Sequence, residues 1–463
     1  MASTADKVAS NINFGAIGKA KELKQRIWFV VIALVVYRLG TYIPIPGVDS
    51  RVLAEIFQSQ SQDKGVLDIF NMFSGGALSR MTIFTLNIMP YITVSIIIQL
   101  LTVMSPKLAE MKKEGESGRK KIQQLTRYGT VFMAAFQGFG IAVFLESITG
   151  TTGNAVLNPG LYFKVTTVVT LIGGVMFLMW LGEQISARGI GNGISLIIFA
   201  GIVAELPRAL AQTFNLSREN VITTPMLFGV LLLALGLIYF IVFMERAQRR
   251  IIVQYPKRQV GNKQFAGENS HLPLKLNTAG VIPPIFASSL LLFPATIASF
   301  GAATGNNNTG EDAGIMSSIL SNISIYLQRG EPLYLASFVL LIVFFCFFYT
   351  KHVFNPADTA DNLKSNGGFI PGIRPGKNTA EYLQFILTRL TVLGAAYISL
   401  VCVAPEILLS YIQVPFYLGG TSLLIVVNVS MDTVAQIHSH LIAHQYEGLI
   451  KKANLKGGGR KRR

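Results

Sequence analysis

Residues 225–244 read PMLFGVLLLALGLIYFIVFM and contain no charged side chain. An α-helix rises about 1.5 Å per residue, so a stretch of this length spans the roughly 30 Å hydrocarbon core of a bilayer. The rest of the chain has the same character, with 51% hydrophobic residues, 14% charged residues and a mean hydropathy of +0.48. A soluble protein carries about 25% charged residues. The sequence therefore predicts a polytopic helical membrane protein and excludes a soluble enzyme.

Further apolar stretches on both sides of this one give ten predicted membrane spans. Two halves of five spans would enter the membrane from opposite sides, so any duplication between them must be an inverted repeat, although no self-similarity is visible. We divide the chain into an N-terminal half (1–213), a C-terminal half (214–437) and a basic tail (438–463). The spans lie near residues 24–43, 81–104, 126–146, 163–182, 193–213, 225–245, 277–300, 332–353, 380–404 and 415–437.

The charges of the loops predict the orientation of these spans. The chain has 40 Lys and Arg against 24 Asp and Glu, a net charge of +16. Segments on the side of the N-terminus hold 32 of the 40 basic residues, and loops on the opposite side hold 7. Because basic loops stay in the cytoplasm, we expect both termini to be cytoplasmic.

Signatures of catalysis and of ion coupling are missing. The sequence has no G-x-x-x-x-G-K-[ST], G-x-S-x-G or H-E-x-x-H motif, and Cys346 and Cys402 lie inside apolar runs. We therefore expect no enzyme activity, no cofactor and no metal site. Ion pumps keep ionisable side chains within their spans, so their scarcity here argues against a secondary transporter with inverted repeats, which remains the alternative. The marginal cases, near span ends, are Arg38, Glu183, Arg389 and Asp432.

A short apolar segment, residues 66–73, follows the first span. Its two helical turns cannot cross a bilayer, and the Ser-Gly-Gly sequence after it, residues 74–76, has the composition of a hinge. Two interpretations are open. The segment is either an amphipathic helix on the outer membrane surface or a half-helix that dips into the bundle.

Two loops on the basic side are longer than a helical hairpin requires. Residues 245–275 contain ERAQRRIIVQYPKRQVG, in which apolar residues alternate with basic clusters, and residues 353–378 contain NPADTADNLKSNGGFIPGIRPGKN. Attraction to anionic lipid would explain the charge but not the apolar residues. A docking surface for a large, partly acidic partner, such as ribosomal RNA or a motor protein, explains both.

A set of motifs extends from the first span to the tail. The motifs are IPIPGVD (43–49), FNMFSGGALSR (70–80), IMPYITVSIIIQLL (88–101), KKEGESGRKKIQQLTRYGT (112–130), MFLMWLGEQISARGIGNGIS (176–195), ERAQRRIIVQYPKRQ (245–259), FNPADTADNLK (354–364), PGIRPG (371–376) and PFYLGGTSLLIVV (415–427). Together these motifs resemble the bacterial SecY family of protein-translocase subunits. The outer loop GAATGNNNTGEDAG (301–314) and the end GGGRKRR are individual to this chain.

The resemblance implies ten helices in two pseudo-symmetric, inverted five-helix halves around an hourglass pore that conducts unfolded preproteins. It favours the half-helix interpretation and implies a re-entrant plug formed by Val66, Leu67, Ile69, Phe70, Met72, Phe73, Ser74, Gly75 and Gly76. It also implies a pore ring of aliphatic side chains, formed here by Ile88, Ile92, Ile194, Ile198, Ile285 and Ile425.

The family further implies a lateral gate between spans two and three and spans seven and eight, through which signal sequences and membrane helices reach the lipid. Polar candidates at that seam are Thr93, Gln99, Gln137 and Asn277. Docking residues for the SecA motor or the ribosome are Arg250, Lys257, Arg258, Arg374 and Tyr446. The implied location is the bacterial inner membrane, with SecE and SecG as partner subunits and no direct DNA binding.

Overall fold

The computed structural model of the chain is almost entirely helical. It describes residues 21–49, 52–53, 71, 74–147, 149–150, 153–219, 223–255, 258–260, 263–265, 269–291, 331–411 and 419–457. The helices are α1 (Lys21–Gly40), α2 (Met89–Met104), α3 (Pro106–Lys113), α4 (Glu116–Ser147), α5 (Leu161–Arg188), α6 (Gly193–Arg218), α7 (Thr224–Arg246), α8 (Ile282–Leu291), α9 (Pro332–Val353), α10 (Pro356–Ser365), α11 (Lys377–Tyr411) and α12 (Gly420–Gly457).

Each of the ten predicted spans overlaps one of these helices. Among the described residues, seven helices are long and apolar enough to cross a membrane, and α2 with α3 would make an eighth if the pair were one span. The two remaining spans correspond to α1, which carries charges near both ends, and to α8, of which ten residues are described. The helical content and the apolar lengths agree with the predicted polytopic fold.

A sharp bend separates α2 from α3. The two helices meet at an angle of 103°. Ser105 between them is extended, with φ −101° and ψ 118°, because the Pro106 ring disfavours helical backbone at the preceding residue. The chain therefore leaves the α2 direction at once, and α3 packs against both α2 and α4.

The helices pack in two groups that follow the two halves of the sequence. In the first group α4 packs against α2 and α5, and α5 packs against α1 and α6. In the second group α11 packs against α9 and α12, and α12 packs against α7. Contacts of α6 with α7 and α12 join the groups, and one apolar cluster extends across both.

Short strands occur in the loops. Strands β1 (Thr149–Gly150) and β2 (Gly153–Asn154) form one hairpin, and β4 (Arg258–Val260) and β5 (Lys263–Phe265) form another. The longest pair, β3 (Gln248–Gln254) and β6 (Asn269–Lys275), is antiparallel and lies between α7 and α8. In β3 the burial alternates, since Ile251 and Val253 are buried whereas Arg250 and Ile252 are exposed. This alternation is typical of a strand that packs on one face.

Candidate functional site

The six isoleucines of the predicted pore ring come from four helices. The first pair is Ile92 in α2 and Ile88, the N-cap residue of that helix. The second pair, Ile194 and Ile198, lies four residues apart at the start of α6, on one helix face. The remaining two lie in α8 and α12. All belong to the apolar cluster that joins the halves, five of them as buried members and Ile194 as a partly buried one. The fold thus brings residues separated by more than 300 positions in the sequence into one apolar region.

The turn at residues 74–76 lies against α6. Gly75 and Gly76 have φ of 65° and 78°, the left-handed region that glycine adopts without strain. A Cβ added to Gly75 would lie 3.0 Å from the Gly201 Cα, and one added to Gly76 would lie 2.4 Å from the Glu205 Oε1. Both positions favour glycine because of their backbone conformation, and at Gly75 the Gly201 backbone also leaves little room for a side chain.

The same turn is tied to α1 and to its own chain. The Tyr37 hydroxyl donates to the Ser74 carbonyl at 3.5 Å, and Arg38 Nη1 donates to the Gly75 carbonyl at 3.0 Å. The Asn71 carbonyl accepts from the Gly76 N–H at 2.9 Å. Of the predicted plug, the structure thus describes the part from Ser74 onward. Val66, Leu67, Ile69, Phe70, Met72 and Phe73 lie outside the described residues.

The four predicted gate residues are buried or half-buried, and the hydrogen bonds of Thr93 and Gln99 stay within α2. Thr93 donates to the Met89 carbonyl of its own helix, and Gln99 donates to Ser95. Among the described residues, the side-chain oxygens of Gln99 and Gln137 have no hydrogen-bond partner. A polar contact across the seam therefore stays a prediction for these residues.

Asn277, the fourth gate candidate, binds within the C-terminal half. Its Nδ2 donates to Glu245 Oε1 at 2.7 Å and to the Gly280 carbonyl at 3.1 Å, and its Oδ1 accepts from the Gly280 N–H at 3.0 Å. The Tyr397 hydroxyl approaches the same Glu245 oxygen at 3.5 Å. These contacts fix the start of α8 against α7 and α11.

A polar contact links the two halves near the end of α2. Lys112 Nζ in α3 lies 2.6 Å from His352 Nε2 at the end of α9. Partial burial and the positive charge of Arg119 lower the pKa of Lys112. The sequence pattern does not predict this pair because 240 positions separate its members.

The two long loops form one unit, which we call the loop unit: β3, β6 and residues 368–390. The Gln254 N–H donates to the Phe369 carbonyl at 2.9 Å and the Phe369 N–H donates back at 3.0 Å. A separate apolar cluster, drawn from both loops and from the start of α11, lies beneath. Its buried members are Ile251, Leu274, Ile370, Leu383, Ile386, Leu387 and Leu390.

Two predicted docking residues lie exposed on the loop unit. Arg250 is in β3, and Arg374 lies in the turn before α11. Gly372 and Gly376 on either side of Arg374 have φ of 82° and 103°, and the Thr379 hydroxyl donates to the Arg374 carbonyl at 3.0 Å. The turn that carries this guanidinium is therefore fixed. Lys257 lies outside the described residues, and Arg258 and Tyr446 are described as backbone of β4 and α12.

The expectation that ionisable residues are scarce in the spans needs a correction. The structure buries three carboxylates: Glu205 in the middle of α6, Glu245 at the end of α7, and Glu406 five residues before the end of α11. The sequence offers one signal, because Glu205 interrupts the fifth predicted span next to Pro207. Composition could not show that Arg80 and Asn277 lie beside two of these carboxylates, since the fold alone brings them together.

Comparison with known proteins decides the family. The SecY family profile matches residues 82–434. The chain is 56% identical over 446 residues to the protein translocase subunit SecY of Escherichia coli strain K12, covering 96% of this chain and 98% of that protein. It is 54% identical over 440 residues to the same subunit of Vibrio cholerae, covering 95% and 96%. The chain belongs to the SecY family.

Solved structures show the same fold. One, described as a protein conducting channel, superimposes with a TM-score of 0.61 at 19% identity and covers 90% of this chain and 92% of that chain. Another, canine Sec61 in a ribosome-channel complex from the endoplasmic reticulum, gives 0.59 at 17% identity with the same coverage. The ten-helix, two-half architecture of this family is the architecture predicted from the sequence.

Proposed function

We propose that this chain is a gated protein-conducting channel, through which unfolded preproteins cross the bacterial inner membrane and from which membrane helices leave sideways into lipid. The observation that supports it most is the meeting of α2, α6, α8 and α12 in one apolar region, with two, two, one and one isoleucines respectively. The family relation supports translocation of protein as the activity.

The chemistry of the ring suits a seal that is indifferent to sequence. Isoleucine is β-branched and stiff at χ1, so six such side chains keep a defined constriction. An apolar constriction resists wetting and hence resists ions. It offers no hydrogen bond to a passing peptide, so the ring can surround many sequences without binding any of them tightly.

Lateral release follows from the partition of apolar helices. A nascent helix gains about 0.3 to 0.6 kcal/mol for each Leu, Ile, Phe or Val that moves into lipid. A seam between α2 with α4 and α8 with α9 would let such a helix sample both phases. The unpartnered oxygens of Gln99 and Gln137 would then be the polar groups that set how easily the seam parts.

The loop unit is the proposed docking surface for the partner that supplies the energy. The sequence holds no nucleotide-binding motif, so a SecA motor or a translating ribosome must drive transport. We place both termini and the loop unit in the cytoplasm because of the asymmetry in basic charge. SecE and SecG complete the proposed complex, and the canine relative described within a ribosome-channel complex supports ribosome docking.

Site-specific photo-crosslinking tests the pore. A photoreactive residue replaces Ile92, Ile198, Ile285 or Ile425 in turn, and a preprotein with a folded C-terminal domain is arrested halfway. We expect capture at all four positions and none at Leu232, a control in α7 that is 74% exposed and faces lipid. No capture at the four positions, while transport proceeds, would place the path elsewhere and overturn the proposal.

Charge reversal tests the docking surface. Arg374→Glu should weaken binding of the SecA motor to the purified complex by about tenfold or more, because it places a carboxylate on a fixed turn where the partner's acidic groups arrive. Lys377→Glu is the matched control, since Lys377 is exposed three residues away at the start of α11. Equal binding by the parent and the Arg374→Glu variant would remove Arg374 from the interface.

A further inference from the structure

A buried carboxylate lies beside the turn at residues 74–76. The Glu205 side chain in α6 is 7% exposed, and the Gly76 Cα faces its Oε1. Burying a carboxylate is costly unless a positive charge or hydrogen-bond donors compensate it. Glu205 has two such partners: Arg80 Nη2 lies 3.9 Å from its Oε1, and Arg208 Nη1 lies 4.0 Å from its Oε2.

The two arginine partners belong to different parts of the molecule. Arg208 is on α6 itself, one turn after Glu205, and is about half exposed. Arg80 follows the predicted plug along the chain, and its Nη1 is buried with no hydrogen-bond partner among the described residues. Contact with Arg80 therefore joins the end of the plug segment to α6, whereas contact with Arg208 joins α6 only to itself.

A second arginine holds the same turn from α1. Arg38 Nη1 donates to the Gly75 carbonyl, and both Arg38 and Arg80 lie over the Tyr42 ring at 5.1 and 4.4 Å from its centroid. Tyr42 is thus shared by the guanidinium on the α1 side and the guanidinium on the plug side. Cation–π contacts of this kind orient the groups without fixing them as a short hydrogen bond would.

The spacing of the charges indicates a contact that can be released. At 3.9 Å the Arg80–Glu205 pair is an ion pair without a direct hydrogen bond. Since α6 also carries Ile194 and Ile198, the carboxylate is rigidly connected to the proposed pore ring. Movement of the plug would separate Arg80 and the Gly75 carbonyl from α6 and α1 while leaving the ring intact.

We propose that Glu205, with Arg80 and Arg38, forms an electrostatic latch that keeps the plug hinge seated on α6 and so sets how easily the idle channel opens. The inference rests on the proposed function, because it assumes that residues 66–76 close the pore. Glu205 is a positioning residue in this scheme: it contacts the hinge and Arg80, and no preprotein needs to touch it.

Neutralising Glu205 without changing its shape tests the latch. The complex with Glu205→Gln is reconstituted in lipid vesicles, and two quantities are measured: the ion leak of the idle channel, and the export of a preprotein with a defective signal sequence relative to an intact one. We expect both to rise by about tenfold, because a buried charge pair is lost. Export of the intact preprotein should stay within about twofold of the parent.

Two further variants separate a latch from a general loss of packing. Arg208→Gln, which removes the other ion-pair partner of Glu205, should leave the leak unchanged. Arg80→Gln alone leaves Glu205 with Arg208 as its remaining ion-pair partner and removes the contact between the plug segment and α6, so it should raise the leak. Arg80→Gln combined with Glu205→Gln should leak no more than Glu205→Gln alone, since the effects of coupled residues are not additive. If Glu205→Gln does not accumulate, Arg80→Gln and Arg38→Gln provide the same comparison.

The outcomes are distinct. If the parent exports the intact preprotein and every latch variant keeps the parent's leak and signal discrimination, the latch is overturned while the channel stands. The latch is overturned as well if Arg208→Gln leaks as much as Glu205→Gln. If the parent exports no preprotein and captures none at the ring, the proposed function itself fails.

Discussion

Two turns in the molecule each contain glycine with positive φ beside a buried glutamate, and they differ in the contacts that the glutamate makes. In the N-terminal half Gly75 and Gly76 have positive φ and lie beside Glu205; in the C-terminal half Gly280 has φ 65° and lies beside the Asn277–Glu245 pair. Each turn precedes a helix that contributes to the predicted ring, α2 in one half and α8 in the other. Gly280 lies two residues before α8 begins, whereas Gly76 lies 13 residues before the start of α2.

The contacts that hold the two turns differ in strength. Glu245 accepts a 2.7 Å hydrogen bond from Asn277, whereas Glu205 faces its arginines at 3.9 and 4.0 Å. The space differs too: a Cβ on Gly280 would meet nothing within 4 Å, while one on Gly75 would press on the Gly201 backbone. We call the Asn277–Glu245 hydrogen bond the brace, because its short distance holds the C-terminal turn in place. The longer Arg80–Glu205 ion pair holds the N-terminal turn less firmly, so that turn can separate from α6.

The largest effect on stability is expected at the brace. Glu245→Ala removes the shorter of the two hydrogen bonds that Asn277 Nδ2 donates and leaves only the 3.1 Å bond to the Gly280 carbonyl. Because a buried hydrogen bond to a carboxylate is lost, the change should cost about 1 to 3 kcal/mol of unfolding free energy. Thermal unfolding of the purified complex in detergent measures it. Glu245→Gln is the control, since its amide oxygen can still accept from Asn277 and should retain most of the stability. Equal stability of the parent and Glu245→Ala would show that the brace is not needed.

Substituting alanine for Gly75 and for Gly280 distinguishes the effect of backbone strain from the effect of steric contact with α6. Both Gly75→Ala and Gly280→Ala force an L-residue into left-handed backbone, at a cost of about 1 to 2 kcal/mol. Gly75→Ala also pushes its Cβ against Gly201, so it alone should raise the ion leak of the idle channel. Vesicle leak assays on both variants compare them directly. Equal leak from the two would contradict the idea that the N-terminal turn is seated on α6.

The smallest effect is expected at an ion pair beside the brace. Lys275 and Asp432 lie 3.8 Å apart with side chains 65% and 64% exposed. Exposed pairs contribute about 0 to 1 kcal/mol, so Asp432→Asn should lower the unfolding midpoint only slightly. The decrease should be smaller at high salt, because salt screens the interaction between exposed charges. A loss as large as that of Glu245→Ala would mean that charge around the brace matters more than its hydrogen bond.

Hydropathy alone predicts where the membrane helices lie, because long apolar runs have few alternatives in lipid. The predicted second span, 81–104, ends where α2 ends, but hydropathy does not predict that residues 81–88 form turns and that the helix begins only at Met89. The six ring isoleucines cannot be distinguished from any other isoleucine in a span by pattern. The family resemblance selects them, and the structure places them in one apolar region.

Pairings between distant residues are beyond the sequence. Arg38, Arg80 and Glu205 lie far apart along the chain, and only the packing of α1 and α6 against the turn brings them together. The same holds for Gln254 and Phe369, which pair two loops that are far apart in the sequence. Asn277 is a predicted residue of the gate seam, yet its described partners are Glu245 and Gly280.

The strand β6 has a thermodynamic consequence. It ends at Lys275, two residues before Asn277, and the Leu276 N–H donates to the Ala247 carbonyl at 3.0 Å, so the loop unit passes into the start of α8 without a flexible linker. Linkage between two sites is reciprocal. If a partner bound to the loop unit favours an open gate by some factor, a signal sequence that holds the gate open must tighten that partner's binding by the same factor. A bound signal sequence would then increase the affinity of the channel for the partner that drives its transport.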